Sequence, residues 1–275
     1  SYYSFLKKIN EDNIPIFTNE ENELIDKVSE LLPIVRCDEI LILKSLLELG
    51  SIDNSKIIGY NSKITINTIN HAIAMLKKEK ILTNDNKINI DNLPENMKFY
   101  LEDLFEYALI KYEIEFGDFD GIFKVMGNYY KEQIMRVLLE NGLMFMKGTK
   151  FDNNRTTYVF VELKKDSSKE ERLNYKDKFL SSKVFQWESE NNTTLENSIG
   201  KKLLNTKVVH LFVRKMDEQD GITLPFTYFG TGTFTNVRVT KNNQFDTLTF
   251  DIILDNEVSE EYYIDFEIPK GNDYE

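Results

Sequence analysis

One stretch of the chain combines the aromatic and hydrogen-bonding side chains that a ligand pocket needs. It covers residues 183–194, is followed by Gly200–Lys202, and contains the single tryptophan, Trp187, with Tyr175 close by. A strand is expected to end in this stretch and a polar loop to begin. The combination is typical of a pocket that stacks on a flat ligand and reads its edge through hydrogen bonds. It matches no known catalytic signature, so it favours recognition over chemistry.

A second group of residues could do hydrolytic chemistry. Asp152, followed by Glu162 and Lys164, is similar to the Asp…Glu-x-Lys pattern of metal-dependent nucleases. Two carboxylates at the ends of adjacent strands would hold Mg²⁺, and the lysine would stabilise the attacking water. A Glu-x-Lys run also occurs by chance in almost any charged strand. A nuclease is therefore one alternative to recognition, and a protein-interaction module without DNA contact is a second.

The composition is that of a folded protein. Of the 275 residues, 41% are hydrophobic and 12% are aromatic, which is sufficient for globular cores and for two domains. No apolar run approaches the roughly 20 residues of a membrane span, and the N-terminus lacks a signal peptide. The single cysteine, Cys37, excludes an internal disulfide framework and is expected to be buried. These features predict a cytoplasmic protein without membrane contact, and a first residue other than Met indicates part of a longer chain.

Charge is distributed unevenly along the sequence. The net charge is −12 overall, with −8 in residues 1–130, +4 in residues 131–250 and −8 in residues 251–275. The overall acidity argues against indiscriminate nucleic-acid binding. A phosphate backbone would favour the mildly basic middle of the chain, although chance explains a charge of this size equally well.

Residues 1–120 are predicted to form a helical, winged-helix-like domain. A capping box at Thr18 and Glu21 starts one helix, and Asp38 is expected to cap the next. A further helix over 65–80 precedes two short strands around a polar turn, which is the element order of a winged helix. The second helix could bind DNA, but the local acidity favours a packing or protein-contact role, with His71 facing solvent.

Residues 128–270 are predicted to form a second, β-rich domain. One helix over 129–140 is followed by short apolar runs between polar turns, which is typical of strands. The fold class is therefore α+β. The second domain is predicted to be a curled sheet or a small barrel, and an SRA-like fold is one candidate for it. The strand candidates are 143–150, 156–164, 182–188, 207–215, 223–228, 234–240, 245–254 and 262–268.

The second domain resembles a known family over residues 128–255. In the family's order and approximate spacing, the chain contains Tyr130–Leu139, Tyr158–Lys165, Tyr175–Asp177, Phe185–Asn191, Leu211–Arg214 and Tyr228–Gly230. The family is the uncharacterised domain that follows the helicase core in many bacterial superfamily-two proteins, including the SauUSI-type, ATP-dependent type IV restriction enzymes. After the tryptophan the family pattern reads Gln-Ser-Gln, whereas this chain has Glu188–Glu190, and carboxylates there would repel phosphate.

The resemblance implies a function and a context. It implies recognition of 5-methylcytosine or 5-hydroxymethylcytosine in double-stranded DNA. It also implies a helicase motor and a phospholipase-D-like nuclease upstream in the same polypeptide, for which ATP and Mg²⁺ would be needed. This sequence contains neither a Gly-x-x-x-x-Gly-Lys-Ser/Thr loop nor a His-x-Lys motif. We therefore expect no catalytic site, no cofactor and no metal in this chain.

Discrimination of a single methyl group favours a pocket over the major groove. A contact to one methyl is worth about 1 kcal/mol, whereas a base flipped into a pocket also gains stacking and hydrogen bonds. The stacking residue is expected among Tyr175, Phe185, Trp187 and Tyr228, although strand alternation also makes Phe185 and Trp187 core candidates. The base edge would be read by Asp177, Glu188, Glu190 or Asn191, with Ser189 beside them. The flanking phosphates would be held by Lys176, Lys178, Lys183, Lys201, Lys202, Arg214 and Lys215.

Overall fold

The computed structural model describes residues 16–31, 35–90, 92–117, 119, 121–139, 148–152, 155–164, 176–242 and 244–270. These residues fall into two compact units. The first contains the described residues of 1–119 and 136–140, and the second contains those of 120–135 and 141–275. The segment 136–140 thus groups with the first unit, whereas the predicted division places it in the second. No helix within the described ranges is long and apolar enough to cross a membrane.

The first unit is helical. Its helices are α1 (Asn19–Ser29), α2 (Asp38–Leu49), α3 (Asn54–Ile58), α4 (Ile66–Lys78) and α5 (Glu95–Tyr112), and α5 continues into a π-helical turn, Glu113–Gly117. The capping box at the start of α1 is confirmed, because the side chains of Thr18 and Glu21 each accept a backbone N–H of the other residue. Cys37 is buried, as predicted.

Three expectations for this unit need correction. Asp38 does not cap α2 but is its first residue, and its buried carboxylate lies 3.3 Å from Nε of Arg36. His71 is half-buried instead of facing solvent. In place of two short strands, the structure has one antiparallel bridge between Leu82 and Ile88. The winged-helix arrangement stays a prediction.

The second unit is built on one mixed sheet. Its strands are β1 (Asn128–Tyr129), β2 (Thr149–Phe151), β3 (Thr156–Glu162), β4 (Lys178–Ser181), β5 (Val184–Glu188) and β6 (Val208–Arg214), followed by β9 (Phe226–Asn242) and β10 (Phe245–Leu254). A separate two-stranded ribbon pairs β7 (Glu218–Gln219) with β8 (Ile222–Thr223). The sheet order is β2-β3-β6-β9-β10-β5-β4, with β1 on β9. Only β3 and β6 are parallel among these described pairs. The helices α6 (Lys131–Val137) and α7 (Ser198–Leu204) lie between strands in the chain.

Strand β9 takes the place of two predicted strands. The sequence pattern predicts separate strands over 223–228 and 234–240, with Gly230 and Gly232 either allowing close backbone approach or marking turns, yet one strand continues through both glycines. A Cβ at Gly232 would collide with the carbonyl oxygen of Ile253 on β10. The glycine therefore permits close approach of two paired strands and does not mark a turn.

Two further segments differ from prediction. The strand expected over 262–268 is wrong, since this segment follows the 3₁₀ turn Glu260–Tyr262 and belongs to no strand. The polar loop expected after Trp187 contains α7, which begins where the side chain of Asn197 accepts the N–H of Gly200 at 2.8 Å. This side-chain cap is an ordinary helix start signal.

The sheet curls, because strands that are distant in its order share one core. In a flat sheet, β3 and β5 would lie roughly 19 Å apart, since β6, β9 and β10 separate them at about 4.8 Å per step. Val161 of β3 and Trp187 of β5 nevertheless belong to the same buried cluster. The curled-sheet alternative agrees with this arrangement. The small-barrel alternative is wrong, because the described end strands β2 and β4 do not pair and the sheet stays open.

Candidate functional site

A cavity of about 180 Å³ lies in the second unit where β3 and β5 approach each other. This volume corresponds to roughly six water molecules at about 30 Å³ each, which suits one flat ring better than a drug-sized ligand. Four residues predicted for a base pocket, Asp177, Trp187, Glu188 and Glu190, come together in its wall. Among the described residues, the lining consists of Gly148, Thr149, Phe160, Val161, Glu162, Asp177, Trp187, Glu188 and Glu190.

The β4–β5 hairpin places Asp177 beside the end of β5. Antiparallel pairing sets Lys178 opposite Gln186, so the residue before β4 meets the residues that end β5. The backbone N–H of Glu188 donates to Oδ1 of Asp177 at 2.8 Å. In return, the N–H of Lys176 donates to Oε2 of Glu188 at 3.1 Å. These two bonds fix both carboxylates at the cavity wall.

Glu188 is held from its other side by a threonine hydroxyl. Oγ1 of Thr247 donates to Oε1 of Glu188 at 2.6 Å, and both residues are buried. Oγ1 of Thr240 lies 3.0 Å from Oγ1 of Thr247 and 2.7 Å from Oγ1 of Thr249, which extends the polar chain across β9 and β10. The Glu188 carboxylate thus accepts a backbone N–H and a hydroxyl, and these hydrogen bonds offset the cost of burying it.

Trp187 forms part of the cavity wall and part of the core. It is only 4% exposed. Its ring stacks against Phe234 with centroids 5.4 Å apart and against Phe250 with centroids 5.9 Å apart. Phe185, on the same strand, is completely buried and lies edge-on to Phe179. Phe185 and Trp187 therefore pack in the hydrophobic core, which is one of the two roles predicted for them. Trp187 also lines the cavity.

The residues after Trp187 divide into wall and support. Ser189 is completely buried, and its hydroxyl accepts the N–H of Leu248 at 2.8 Å, which ties the end of β5 to β10. Glu190 lines the cavity, and its carbonyl accepts the hydroxyl of Thr193 at 2.7 Å. Asn191 is half-buried and does not belong to the lining.

Of the two remaining aromatic candidates, Tyr228 does not line the cavity. Tyr175 lies outside the described residues. Tyr228 is buried on the face of β9 opposite Phe229, and its hydroxyl lies 2.7 Å from Nδ1 of His210. Burial raises the pKa of Tyr228 and lowers that of His210 to about 4. These two residues form a neutral, hydrogen-bonded pair away from Trp187.

The predicted phosphate contacts differ in their exposure. Arg214 is buried, forms ion pairs with Glu162 at 3.3 Å and with Asp217, and lies 4.5 Å from the centroid of the Phe226 ring. Lys215 is half-buried and lies 3.7 Å from Asp265. The exposed members are Lys176, Lys178, Lys183, Lys201 and Lys202. Of the predicted cations, these five are the ones presented to solvent.

The nuclease pattern does not converge on one site. Asp152 lies at the β2–β3 turn, where Oδ1 accepts the N–H of Thr156 at 3.1 Å. Glu162 ends β3, about 20 Å along the strand from Thr156 at roughly 3.3 Å per residue, and is paired with Arg214. Lys164 pairs with Glu267 at 3.0 Å. Across the described part of the chain, no three His, Cys, Asp or Glu side chains are grouped as metal ligands.

Sequence reasoning missed the opposite wall of the cavity. Phe160, Val161 and Glu162 contribute from β3, and Gly148 and Thr149 from the start of β2. The apolar run over 156–164 predicts a strand, but nothing local in it indicates that the strand faces β5. Only the curl of the sheet brings the two strands together.

Comparison with known proteins gives family matches without an assigned function. Residues 123–266 match the model described as Domain of unknown function (DUF3427), and residues 1–118 match Domain of unknown function (DUF8090). No curated protein matches the chain.

Two solved structures show weak similarity. The MspJI restriction endonuclease in complex with a 27-mer oligonucleotide matches with a TM-score of 0.27 and 12% identity over 39% of this chain and 31% of that one. SUVH6 from Arabidopsis thaliana, in complex with SAM, matches with a TM-score of 0.37 and 9% identity over 88% of this chain and 41% of that one. The chain therefore spans less than half the length of either protein, and similarity at this level identifies neither a shared fold nor a shared function.

The DUF3427 match has a direct bearing on the cavity. Residues 123–266 include every residue of its lining and most of the sheet. They also make up more than half of the 275 residues. The chain belongs to the family described as Domain of unknown function (DUF3427).

Proposed function

We propose that the second unit recognises 5-methylcytosine or 5-hydroxymethylcytosine in double-stranded DNA by taking the modified base out of the duplex into the cavity between β3 and β5. The observation that carries this proposal is the convergence of Asp177, Trp187, Glu188 and Glu190 on one ring-sized cavity. The sequence resemblance to the SauUSI-type restriction enzymes supports the same function. On that resemblance we also propose that the chain follows a helicase motor and a nuclease in one polypeptide.

The chemistry of the wall suits the edge of cytosine. The exocyclic N4 amine of cytosine is a hydrogen-bond donor, and carboxylates are its usual protein partners. Asp177 and Glu190 supply carboxylates at the wall, and Glu188 supplies a third that the Thr247 and Lys176 bonds hold in place. These three carboxylates would repel a phosphate, so the cavity suits a base and not the backbone.

The apolar part of the wall suits the ring and its substituent. Val161 and Trp187 of the wall belong to the buried apolar core, whereas the ring of Phe160 stacks on Phe212 with centroids 5.1 Å apart. Removing a base from the stack requires a few kcal/mol, and enclosure of its faces contributes about 1–3 kcal/mol. The added methyl group contributes about 0.8 kcal/mol where it fits against the apolar wall. Discrimination between modified and unmodified cytosine then depends on how tightly the cavity encloses the methyl group, because a loosely fitting cavity accepts both bases.

The exposed lysines fit the second requirement, which is the attachment of the duplex. Lys176 and Lys178 flank Asp177, and Lys183 lies in the β4–β5 turn. Lys201 and Lys202 lie on α7. Phosphate contacts hold a protein in register on DNA while base contacts specify the sequence. Arg214 is assigned instead to the structure of the unit, because it is buried in its ion pairs.

The sharpest test replaces Asp177 with Asn. The amide keeps one oxygen that can accept the N–H of Glu188, so the local fold is retained, but it exchanges the other oxygen for a donor that cannot accept the cytosine amine. We expect the affinity for a duplex with 5-methylcytosine to fall about tenfold, with little change for the unmodified duplex. Binding is measured by fluorescence anisotropy, and 2-aminopurine beside the modified base reports its extrusion.

The control is Glu218→Gln, which changes an exposed carboxylate of β7 outside the cavity. It should leave both affinities unchanged. The proposal is wrong if Asp177→Asn keeps the wild-type ratio of the two affinities. Absence of any DNA binding by the wild-type chain would favour the protein-interaction alternative, and binding without a 2-aminopurine signal would place the readout in the groove.

A further inference from the structure

The basic charge of the first unit is concentrated in one segment. Residues 54–90 contain six lysines and two carboxylates, Glu79 and Asp85, which gives a net charge of +4. The segments on either side are acidic, with −6 over residues 1–53 and −5 over residues 91–117. The acidity that argues against nucleic-acid binding in this part of the chain therefore lies outside the segment that contains α4.

Helix α4 presents one polar face to solvent. Its opposite side packs in the interior of the unit. The exposed residues on the polar side are Asn67, Asn70, Ala74 and Lys78. At 100° per residue, these four fall within about 80° of one another around the helix axis. We call them the exposed face of α4.

No carboxylate interrupts this face, because the helix Ile66–Lys78 contains neither Asp nor Glu. The residues that border the face around the axis are Ile66 and Lys77 on one side and His71 on the other. The next acidic residue along the chain is Glu79, the C-cap, which falls about 100° around the axis from Lys78.

The carboxylates of α2, which packs against α4, are already paired with cations. Asp38 and Glu39 are buried, and each lies 3.3 Å from the guanidinium group of Arg36. Glu48 lies 2.9 Å from Nζ of Lys56, which belongs to α3. The charge of these three carboxylates is thus largely offset within the unit.

Acidic residues of α1 approach the far end of the basic segment. A groove there is lined by equal numbers of lysines and carboxylates, namely Lys27, Lys80, Lys87, Glu20, Glu23 and Asp85. Glu23 lies 2.6 Å from Lys27. The groove is therefore balanced in charge. Lys78, in contrast, has no ion pair among the described residues, and its ammonium group is available to an anion.

The amides of the exposed face are also available to a ligand. The side chains of Asn67 and Asn70 form no hydrogen bond within the described part of the chain, whereas Thr65 and Thr68 are used in the capping box that starts the helix. An asparagine amide can pair with the major-groove edge of adenine, and alanine can contact the methyl group of thymine. Both asparagines lie in the first two turns of α4, and the N-terminal residues of a recognition helix are the ones that contact bases.

We propose that the exposed face of α4 binds in the major groove of double-stranded DNA. Asn67 and Asn70 would lie against base edges, Ala74 would allow close approach, and Lys78 would contact a phosphate. This site belongs to the first unit and requires no modified base. It is therefore independent of the base recognition proposed for the second unit.

Other ligands fit this face less well. Protein interfaces depend on large aromatic or apolar anchors, and the face offers only the methyl group of Ala74. Single-stranded nucleic acid needs aromatic side chains for stacking, and α4 contains none. A membrane surface needs a wide apolar face on the helix, whereas the solvent side of α4 is polar.

The test measures binding of the full chain to duplexes without modified cytosine. Duplexes are selected from a random-sequence pool and sequenced, and affinities for a selected duplex are measured by fluorescence anisotropy. We expect the wild type to enrich sites that contain adenine. Asn67→Ala and Asn70→Ala should each weaken binding to the selected duplex about tenfold and lose the preference for adenine at one position. Lys78→Ala should weaken binding to all duplexes alike and reduce the log–log salt slope by about 0.9.

The matched controls lie on α5. Asn96 is exposed and is the second residue of its helix, as Asn67 is of α4, and Lys98 pairs with Glu95 at 2.6 Å. Asn96→Ala and Lys98→Ala should bind DNA as the wild type does. Thermal unfolding verifies that each variant folds.

Two results would each overturn the proposal. One is a random base composition among the duplexes that the wild type selects, and the other is an equal loss of affinity in Asn67→Ala and Asn96→Ala. Loss of the adenine preference in Asn67→Ala with an unchanged preference for 5-methylcytosine would support the α4 site. Because the pool contains no modified base, this result does not depend on the outcome of Asp177→Asn.

Discussion

The hydroxyl of Thr247 donates to Oε1 of the Glu188 carboxylate over 2.6 Å in the interior of the second unit. Thr247 is completely buried and Glu188 is 6% exposed. The bond joins β10 to the end of β5, where the cavity wall begins. It is therefore the contact through which the sheet holds an acidic residue at the site.

Replacement of Thr247 by Val removes this donor while nearly conserving side-chain shape. A buried carboxylate that loses one of its hydrogen bonds should lower the free energy of unfolding by about 1–3 kcal/mol. Urea unfolding followed by Trp187 fluorescence measures it, because the single tryptophan reports on the second unit. Thr233→Val, at an exposed position of β9, should change stability by less than about 0.5 kcal/mol. Equal losses in the two variants would contradict the assigned role of the bond.

Stability should depend on pH through His210. Burial lowers its folded pKa to about 4 from an ordinary value of 6.5, with Asp152 acting in the opposite direction. The unfolded chain therefore binds the proton first, so this contribution to stability is complete above pH 6.5 and decreases as the pH falls towards 4. His210→Gln should flatten the pH dependence of the unfolding free energy in that window. Parallel profiles for wild type and variant between about pH 6.5 and pH 5 would show that His210 does not titrate in this way.

Contacts with the DNA backbone should act equally on modified and unmodified duplexes. Lys201 and Lys202 are exposed on α7, and each phosphate contact that is lost should reduce the salt dependence of binding by about 0.9 in log–log slope. We expect Lys201→Ala to weaken both complexes by the same factor and to leave their ratio unchanged. Anisotropy titrations over a range of salt concentrations measure the slope. The matched control is Lys241→Ala, which changes an exposed lysine at the end of β9. An equal reduction of the salt dependence in this variant would contradict the assignment of a phosphate contact to α7.

Local sequence patterns predicted the strands that carry strong apolar runs. Strand β10 occupies residues 245–254 in both prediction and structure, and β5 and β6 differ from prediction by one or two residues at their ends. Polar turn residues stand at both ends of these runs, so the residues next to each strand are sufficient to predict where it begins and ends. Helix α7 differs from the prediction of a polar loop after Trp187. A Cβ at Gly200 would collide with the carbonyl oxygen of Thr194, so this glycine allows the residues before α7 to pack closely against the helix.

The candidate site was predictable on one side only. Trp187, Glu188 and Glu190 stand in one continuous stretch, and Asp177 joins them through the pairing of two consecutive strands. The facing wall comes from β3, whose approach depends on three intervening strands. That approach is a property of tertiary structure, and no period or motif within either strand expresses it.

The pairing of β9 with β10 is irregular near the centre of the sheet. The pairing register shifts between Thr249 and Asp251, and Asn236 has a positive φ of 47° opposite this shift. Such bulges increase the bend of the strands that carry them, and here they lie midway between the two walls. The separation of the β3 and β5 walls therefore depends on the curvature of these two central strands, and we expect a substitution at Asn236 to change the width of the cavity without altering any residue of its described lining.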